Sequence, residues 1–253
     1  MASQGVDLSG RVALVTGASS GLGARFAEVL AEAGARVVAG GRRLDRCSEV
    51  AARITANGGQ CLPVELDVRS DASLVAAVDA AESQYGLVDI LVNNAGIPDA
   101  QYATRMATEL VDNVLDTNVR APWMLSCEVA RRLIKAKQPG RIVNISSIGS
   151  FFYSGGGAAL YSVTKAAVNR MTEALAVEWS AFHINVNAIA PGAFSSEMMD
   201  GMIQRQGDPS GLFPRKRMGQ PHQLDSTLLY LVSPASEMVT GTIITVDDGQ
   251  SPR

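Results

Sequence analysis

The chain of 253 residues has few residues of several types, and each shortage excludes a class of protein. It has two histidines and three cysteines, and Cys47, Cys61 and Cys127 lack metal-ligand spacing. Neither a zinc site nor a disulfide framework is therefore predicted, and we expect no metal. A net charge of −3, without long runs of either sign, argues against a nucleic-acid partner. Long uninterrupted apolar segments are also missing, so no membrane span is expected.

The composition is that of an ordinary globular protein with a large core. Hydrophobic residues make up 47% of the chain and charged residues 19%. Residues 1–7 contain neither the basic nor the apolar part of a signal peptide, so we expect a cytoplasmic protein. No linker, repeat or low-complexity stretch divides the sequence. We therefore predict one domain, residues 1–253.

Short apolar runs alternate with longer segments of helical periodicity. The runs predict strands at Val12–Thr16, Arg36–Ala39, Leu62–Leu66, Ile90–Asn93, Arg141–Ile145, Asn185–Ile189 and Thr242–Val246. Nearly continuous apolar strands are typical of parallel sheets that helices cover on both faces. The predicted fold class is therefore α/β: a Rossmann-type, doubly wound parallel sheet in a three-layer α/β/α domain.

A glycine-rich turn, Thr16-Gly-Ala-Ser-Ser-Gly-Leu-Gly23, follows the first predicted strand and begins the first predicted helix. Glycines let a pyrophosphate approach the backbone, and the N-terminus of the helix favours an anion. The turn does not end in the Gly-Lys-Ser/Thr of a nucleoside-triphosphatase loop. It also fits the Gly-x-Ser-x-Gly pattern of α/β-hydrolases, with Ser19 as the nucleophile and only His183 or His222 as the base. A dinucleotide site is the favoured interpretation and a serine hydrolase the alternative.

The end of the second strand bears on the choice of dinucleotide. An acidic residue at this place bonds the ribose diol of NAD, whereas an arginine accommodates the 2′-phosphate of NADP. This chain has Gly41 where the acid is expected, and Arg42 and Arg43 follow it. We therefore expect Arg42 to favour NADP(H), with NAD(H) as the alternative.

Tyr161 and Lys165 lie four residues apart at the start of a strongly periodic segment, Tyr161–Ala181. On a helix this spacing puts both side chains on one face. A nearby ammonium group would lower the pKa of the phenol toward the working range of an acid–base catalyst. Ser147 follows the fifth strand, at the edge of the sheet where ligands bind in such folds, and it can bond a substrate oxygen.

These motifs, in this order, resemble those of the short-chain dehydrogenase/reductases of the single-domain, ketoreductase-like kind. Besides the glycine turn and the Tyr-x-x-x-Lys pair, the resemblance rests on Asp67-Val68, on Asn93-Asn-Ala-Gly96, on Asn118 and on Pro191-Gly192. It extends over nearly the whole chain.

The resemblance implies an oxidoreductase that transfers a hydride between NADP(H) and a ketone or secondary alcohol. Tyr161 would be the general acid and base, and Ser147 would polarise the substrate oxygen. Lys165 would lower the pKa of Tyr161 and bind the ribose, and Asn118 would hold a water of the proton relay. The residues expected to contact the cofactor are Gly17, Ser19, Ser20, Gly21, Leu22, Gly23, Arg42, Asp67, Val68, Asn94, Ala95, Gly96, Tyr161, Lys165, Pro191, Gly192, Phe194 and Ser196.

Three residues depart from the family pattern. Ser20 stands where many NADP-dependent members have a basic residue, Ser196 replaces a threonine, and Asp248 replaces a glycine near the C-terminus. The segment Gly192–Gln220, rich in Gly, Ser, Pro and Met, is predicted to be an irregular substrate-binding loop. The family also suggests a homotetramer acting on a small carbonyl or alcohol. A dinucleotide-binding sensor without turnover is the non-enzymatic alternative.

Overall fold

Seven parallel strands form one sheet in the computed structural model, which describes residues 5–153 and 155–251. The strands are β1 (Val12–Thr16), β2 (Arg36–Gly41), β3 (Gln60–Glu65), β4 (Ile90–Asn93), β5 (Gly140–Ile145), β6 (Ile184–Pro191) and β7 (Ile243–Val246). Their order across the sheet is β3-β2-β1-β4-β5-β6-β7. Residues 1–4, part of the N-terminal segment considered above for a targeting signal, lie outside the described range.

Helices cover both faces of this sheet. They are α1 (Gly21–Glu32), α2 (Leu44–Ala56), α3 (Asp71–Tyr85), α4 (Thr108–Leu115), α5 (Ala121–Ala136), α6 (Ala159–Glu178), α7 (Glu197–Gln206) and α8 (Asp225–Val232). A π-helical turn at Asp116–Arg120 joins α4 to α5. Two buried apolar clusters fill the layers: one packs α1, α2 and α8 on the sheet, and the other packs α3, α5 and α6. The predicted three-layer, single-domain Rossmann-type fold is confirmed.

The strand β1 shows why the sheet needs helices on both faces. All five of its residues are buried. Ala13 and Val15 belong to the α1 cluster, whereas Val12 and Leu14 belong to the α3 cluster. Because side chains alternate along a strand, an apolar residue at every position buries both faces.

The predicted strands all exist, and their bounds differ where polar residues or glycine join the hydrogen-bonded ladder. β1 and β4 match the predicted ranges, whereas β2 continues to Gly41 and β3 begins at Gln60. The helix predicted at Tyr161–Ala181 runs from Ala159 to Glu178, because a short turn and His183 in the left-handed conformation (φ 57°) reverse the chain.

The segment Gly192–Gln220 is not wholly irregular, and this part of the prediction was wrong. It contains α7, whose N-terminus is capped by the Ser196 hydroxyl, which accepts the N–H of Met199 at 3.2 Å. The helix was overlooked because the Gly, Ser and Pro residues of the segment favoured a loop, although Met198, Met199, Met202 and Ile203 have helical spacing.

The strand order reverses between β1 and β4, and this reversal fixes where a ligand binds. The chain builds β2 and β3 on one side of β1 and then crosses from β3 to β4 on the other side, which leaves a crevice at the carboxyl ends of β1 and β4. The predicted site residues follow the carboxyl ends of β1, β2, β4, β5 and β6. Among the described residues, no helix has the length and apolar character that crossing a bilayer requires.

Candidate active site

The turn between β1 and α1 is tightly packed against the chain that follows β4. Gly17 and Gly21 have positive φ angles of 66° and 54°. A Cβ on Gly23 would overlap the carbonyl oxygen of Gly17, so only glycine fits there. This geometry brings the backbone of the turn to the N-terminus of α1, the arrangement that binds a pyrophosphate.

Thr16 joins this turn to the Asn93–Gly96 segment. Its hydroxyl oxygen accepts the backbone N–H groups of Asn94 and Ala95, both at 3.0 Å. In return, the Asn94 side chain donates to the carbonyl oxygens of Thr16, at 3.0 Å, and Gly17, at 3.3 Å. The Asn-Asn-Ala-Gly motif therefore holds the glycine turn in place, and it contacts this turn through the Asn94 side chain.

The end of β2 brings Arg43, rather than Arg42, onto the glycine turn. The Arg43 guanidinium donates to the hydroxyls of Ser19 and Ser20, both at 3.1 Å, and forms an ion pair with Glu197 at 2.8 Å. Arg42 is exposed. The two arginines after β2 indicated from the sequence that a guanidinium lies here. Which of the two contacts the glycine turn depends on the backbone conformation between β2 and α2.

Gly41, which stands where an acidic residue was expected, has little space for a side chain. A Cβ on Gly41 would lie 3.0 Å from the Cys47 sulfur and 3.6 Å from the Cβ of Ser19. A carboxylate side chain there would require α2 or the glycine turn to move. Both the packing and the charge at the end of β2 therefore differ from those of a site that binds a ribose diol through an acid.

Asp67 and Val68 follow β3 on the same edge of the sheet. The pKa of Asp67 is lowered, mainly by its hydrogen bond from Arg69. Val68 lines a small cavity together with Thr16, Ala95 and Thr117. The structure therefore places Val68 beside the Asn93–Gly96 segment. The contact of Asp67 and Val68 with the cofactor stays a prediction.

Ser147, Tyr161 and Lys165 come together where β5 meets α6. The Ser147 side chain lies close enough to the Tyr161 phenol to lower its pKa. The Lys165 Nζ lies 5.6 Å from the centroid of the Tyr161 ring and donates to the carbonyl oxygen of Ile145 at 2.7 Å. Tyr161 and Lys165 thus lie on one face of α6, as their spacing predicted.

Burial dominates the acid–base properties of this group. It raises the pKa of Tyr161, the hydrogen bond with Ser147 lowers it, and the charge of Asp99 raises it further, with a net upward shift. Burial also lowers the pKa of Lys165 to about 8. Desolvation of the phenol outweighs the other effects, and the expected influence of Lys165 on the pKa of Tyr161 stays a prediction.

Asn118 lies in the π-helical turn, and its side chain is fully engaged. Its Oδ1 accepts the N–H of Ile97 at 2.9 Å, and its Nδ2 donates to the Ile97 carbonyl at 2.9 Å and to the Thr164 hydroxyl at 3.2 Å. A Cβ on Gly96 would lie 3.4 Å from Asn118 Oδ1 and 3.6 Å from Lys165 Nζ. Asn118 therefore fixes the chain at Ile97 beside the crevice. Because its side chain already bonds Ile97 and Thr164, a water of the proton relay would bind a backbone group of the π-helical turn.

The chain after β6 crosses the crevice. Gly192 is packed so closely on Asp247 and Gln250 that a Cβ would lie 3.0 Å from the first and 2.6 Å from the second. The Ser196 Cβ lies 3.4 Å from the Cβ position of Gly21, so α7 begins against the glycine turn. At the other end of α7, the Gln206 side chain donates to the Gly156 carbonyl at 2.7 Å. Phe194 is buried and packs on Gly219, so its ring belongs to the core.

Asp248 keeps the backbone conformation of the glycine that it replaces. Its φ angle is 53°. Its carboxylate accepts hydrogen bonds from Arg217 at 2.8 Å and pairs with Arg215 at 3.2 Å. Two ion pairs at the surface offset the strain of a left-handed non-glycine residue.

The geometry argues against the serine hydrolase. The Ser19 hydroxyl accepts a hydrogen bond from Arg43, whereas a nucleophilic serine would donate its proton to a histidine. His183 precedes β6, at the opposite edge of the sheet, and its side chain is 72% exposed beside Glu237. His222 is exposed, and neither histidine bonds Ser19 among the described residues. A nucleophile and its base must lie within hydrogen-bond reach, so the described structure places no triad at Ser19.

A Rossmann-type oxidoreductase is the class that this fold and this edge of the sheet define. The chain belongs to the short-chain dehydrogenase family, whose model matches residues 11–207. It is 37% identical over 246 residues to the 2-dehydro-3-deoxy-D-gluconate 5-dehydrogenase of Dickeya dadantii, covering 96% of each chain. Enzymes of this family use NAD(P)(H) and act on small molecules.

Two solved structures extend the comparison to proteins with a bound dinucleotide. An actinorhodin polyketide ketoreductase variant with NADPH superposes with a TM-score of 0.92 at 31% identity, covering 96% of this chain and 98% of that one. The 3-ketoacyl-(acyl-carrier-protein) reductase of Brucella melitensis complexed with NADH has a TM-score of 0.90 at 34% identity, covering 97% and 100%. Similar folds therefore accept either dinucleotide, and the choice depends on individual residues.

The Thr16 hydroxyl gives a first test of the site's construction. In Thr16→Val the N–H groups of Asn94 and Ala95 lose their acceptor, which should cost about 1–3 kcal/mol of unfolding free energy. The glycine turn should loosen as well, so NADPH binding should weaken. Thr16→Ser keeps the oxygen and should behave like the parent protein. Urea unfolding and a fluorescence titration measure both effects, and equal behaviour of the Val and Ser variants would contradict the assignment.

A second test concerns the stability cost of burying Lys165. Its pKa of about 8 lies below the ordinary value of about 10.4, so the folded state resists protonation. The penalty is complete below about pH 8 and disappears above about pH 10.4. Lys165→Met should therefore raise the unfolding free energy at neutral pH by about 2 kcal/mol, the gain of about 3 reduced by the lost bond to Ile145.

Urea unfolding of the protein alone at neutral pH and near pH 10.4 measures this difference. Lys135→Met, on the exposed side of α5, is the matched control and should show no pH-dependent gain. A Lys165→Met protein that is less stable than the parent at both pH values would show that burial does not disfavour the ammonium.

Proposed function

We propose that this protein is an NADP(H)-preferring ketone reductase or secondary-alcohol dehydrogenase. The observation that carries the proposal is the cluster of Ser147, Tyr161 and Lys165 beside the glycine turn. The crevice fits a dinucleotide, because the glycine turn presents its backbone at the N-terminus of α1 and Gly96 leaves open the space beside Asn118 and Lys165 that a side chain would fill. A bound nicotinamide supplies or accepts the hydride at the carbon of the substrate carbonyl.

The residues of the chain account for the proton and for the developing charge. In reduction, Tyr161 gives its phenolic proton to the substrate oxygen while that oxygen becomes an alkoxide. The Ser147 hydroxyl donates a hydrogen bond to the same oxygen and stabilises its negative charge. The buried Lys165 ammonium favours the phenolate that remains on Tyr161. Oxidation of an alcohol reverses these steps, with Tyr161 phenolate as the base.

The preference for NADP(H) follows from the end of β2. The guanidinium of Arg43 lies on the hydroxyls of Ser19 and Ser20, and Arg42 precedes it at the rim. A guanidinium pairs well with a phosphate dianion, and Arg43 would exchange its ion pair with Glu197 for the 2′-phosphate. A carboxylate at position 41, which would repel that phosphate, is absent from the sequence. The loop at 192–220 is proposed to bind the substrate, since α7 crosses the crevice there. The homotetramer and the cytoplasmic location stay predictions.

Tyr161→Phe tests the proposed chemistry. Without its hydroxyl the residue has no proton to give, so turnover of a ketone panel with NADPH should fall by about 10²–10⁴-fold. NADPH binding, followed by fluorescence, should be retained. Tyr153→Phe is the matched control, because Tyr153 precedes α6 without a lysine four residues further on, and it should stay active. Normal turnover in Tyr161→Phe would refute the proposal, and a parent protein that binds NADPH without turnover would favour the sensor.

Arg42→Ala, Arg43→Ala and the double variant test the cofactor preference. Loss of charge-assisted bonds to the 2′-phosphate should weaken NADPH binding about 10- to 100-fold in the double variant, with NADH binding unchanged. The single variants divide the effect between the two arginines. Arg46→Ala, exposed on α2, is the control. A parent protein that prefers NADH, or an equal loss for both cofactors, would contradict this assignment.

A further inference from the structure

Asp99 is a buried carboxylate that neither the sequence motifs nor the proposed chemistry uses. It lies in the loop after β4 and is only 2% exposed. Its Oδ2 accepts the backbone N–H groups of Leu160 at 2.8 Å and Tyr161 at 3.1 Å, and its Oδ1 accepts the N–H of Ala100 at 2.7 Å. Leu160 and Tyr161 belong to the first turn of α6, so a residue from a distant part of the sequence caps this helix.

The first turn of α6 needs such an outside partner. The residue before the helix is Ala158, which has no side-chain oxygen to accept the free N–H groups. Serine or aspartate usually fills this position, and a carboxylate also interacts favourably with the positive end of the helix. Asp99, in the loop after β4, therefore caps this helix. One of the two N–H groups of α6 that it binds belongs to Tyr161.

The loop that contains Asp99 is fixed at both ends. At Ile97 the Asn118 side chain binds both the N–H and the carbonyl group, each at 2.9 Å. Further along, the carbonyl carbon of Gln101 lies 3.2 Å from the Cβ position of Gly157, whose φ angle of 74° brings the chain before α6 close to the loop. Asn118 therefore helps to fix the position of Tyr161, because the loop that carries Asp99 is held by contacts at both of its ends.

Three side chains determine the charge around the Tyr161 phenol. Ser147 binds it, Lys165 lies on the same helix face, and the Asp99 charge acts from the loop after β4. Among residues 5–153 and 155–251, the partners of the Asp99 carboxylate are backbone N–H groups rather than a basic side chain. Its negative charge is therefore not cancelled by an ion pair, and it raises the pKa of Tyr161.

We propose that Asp99 is a positioning residue of the active site. Its carboxylate fixes the first turn of α6, and with it the Tyr161 phenol opposite Ser147, while its negative charge opposes ionisation of that phenol. The inference rests on the proposed role of Tyr161 as the proton donor. It adds a residue outside the motifs that governs both the place and the ionisation of the catalytic group.

Two substitutions separate the two roles. Asp99→Ala removes the cap, so amide hydrogen exchange at Leu160 and Tyr161 should accelerate and kcat should fall about 10- to 100-fold, while NADPH binding is retained. Asp99→Asn keeps one oxygen for α6 but loses the charge. It should restore most of kcat, and the rising limb of the pH profile for alcohol oxidation should move to lower pH, because phenolate then forms more easily.

Asp89→Asn is the matched control, since its carboxylate accepts the N–H of Val12 at 2.9 Å at the opposite edge of the sheet. It should lower stability without moving the pH midpoint. Unchanged exchange and kcat in Asp99→Ala, or an unmoved midpoint in Asp99→Asn, would overturn the inference. If Asp99→Ala does not fold, the Asp99→Asn profile decides alone. Activity that persists in Tyr161→Phe refutes the proposed function instead, so the two failures can be told apart.

Discussion

The buried amine of Lys165 is the constraint on which the rest of the site depends. It is 4% exposed, and its hydrogen bond goes to the neutral carbonyl of Ile145 rather than to a carboxylate. An ammonium in such surroundings is disfavoured, which is why its pKa is about 8. The packing of the rest of the chain must offset this cost. Under the proposed function, the lack of a carboxylate partner leaves the positive charge of Lys165 free to act on the neighbouring phenol of Tyr161.

Holding that arrangement requires contacts between elements that are distant in the sequence. Thr16 joins β1 to the segment after β4, Asn118 joins that segment to α6 through Thr164, and Asp99 reaches the first turn of α6. Each contact is a side chain that satisfies backbone or hydroxyl groups at the end of another element. Because buried polar groups without partners are costly, these bonds fix the edges of the crevice more firmly than apolar packing does.

The sequence predicted the fold and the motif residues well, and it did so where a local pattern has one structural solution. The runs Val12–Thr16 and Ile90–Asn93 are apolar at nearly every position, and the structure has strands with those bounds. The glycine turn was recognisable because few other residues fit at Gly23. Three features escaped: α7, the contact of Arg43 with the glycine turn, and Asp99. The contact of Arg43 and the role of Asp99 have no fixed spacing, since each depends on which distant part of the chain lies opposite. The helix α7 lies in a segment whose Gly, Ser and Pro residues favoured a loop.

The two ends of the crevice differ in how far a local sequence pattern determines them. At one end, the glycine turn between β1 and α1 consists of backbone groups and of glycines in tight positions. Because the geometry allows few other residues there, this end can be recognised in a sequence. The other end is covered by α7, whose residues all lie outside the buried core and which is held at its two ends by Glu197 with Arg43 and by Gln206 with Gly156. Such a helix can change its side chains without disturbing the fold. Under the proposed function, selection among substrates would act on α7, while Tyr161 and the residues that hold it stay fixed.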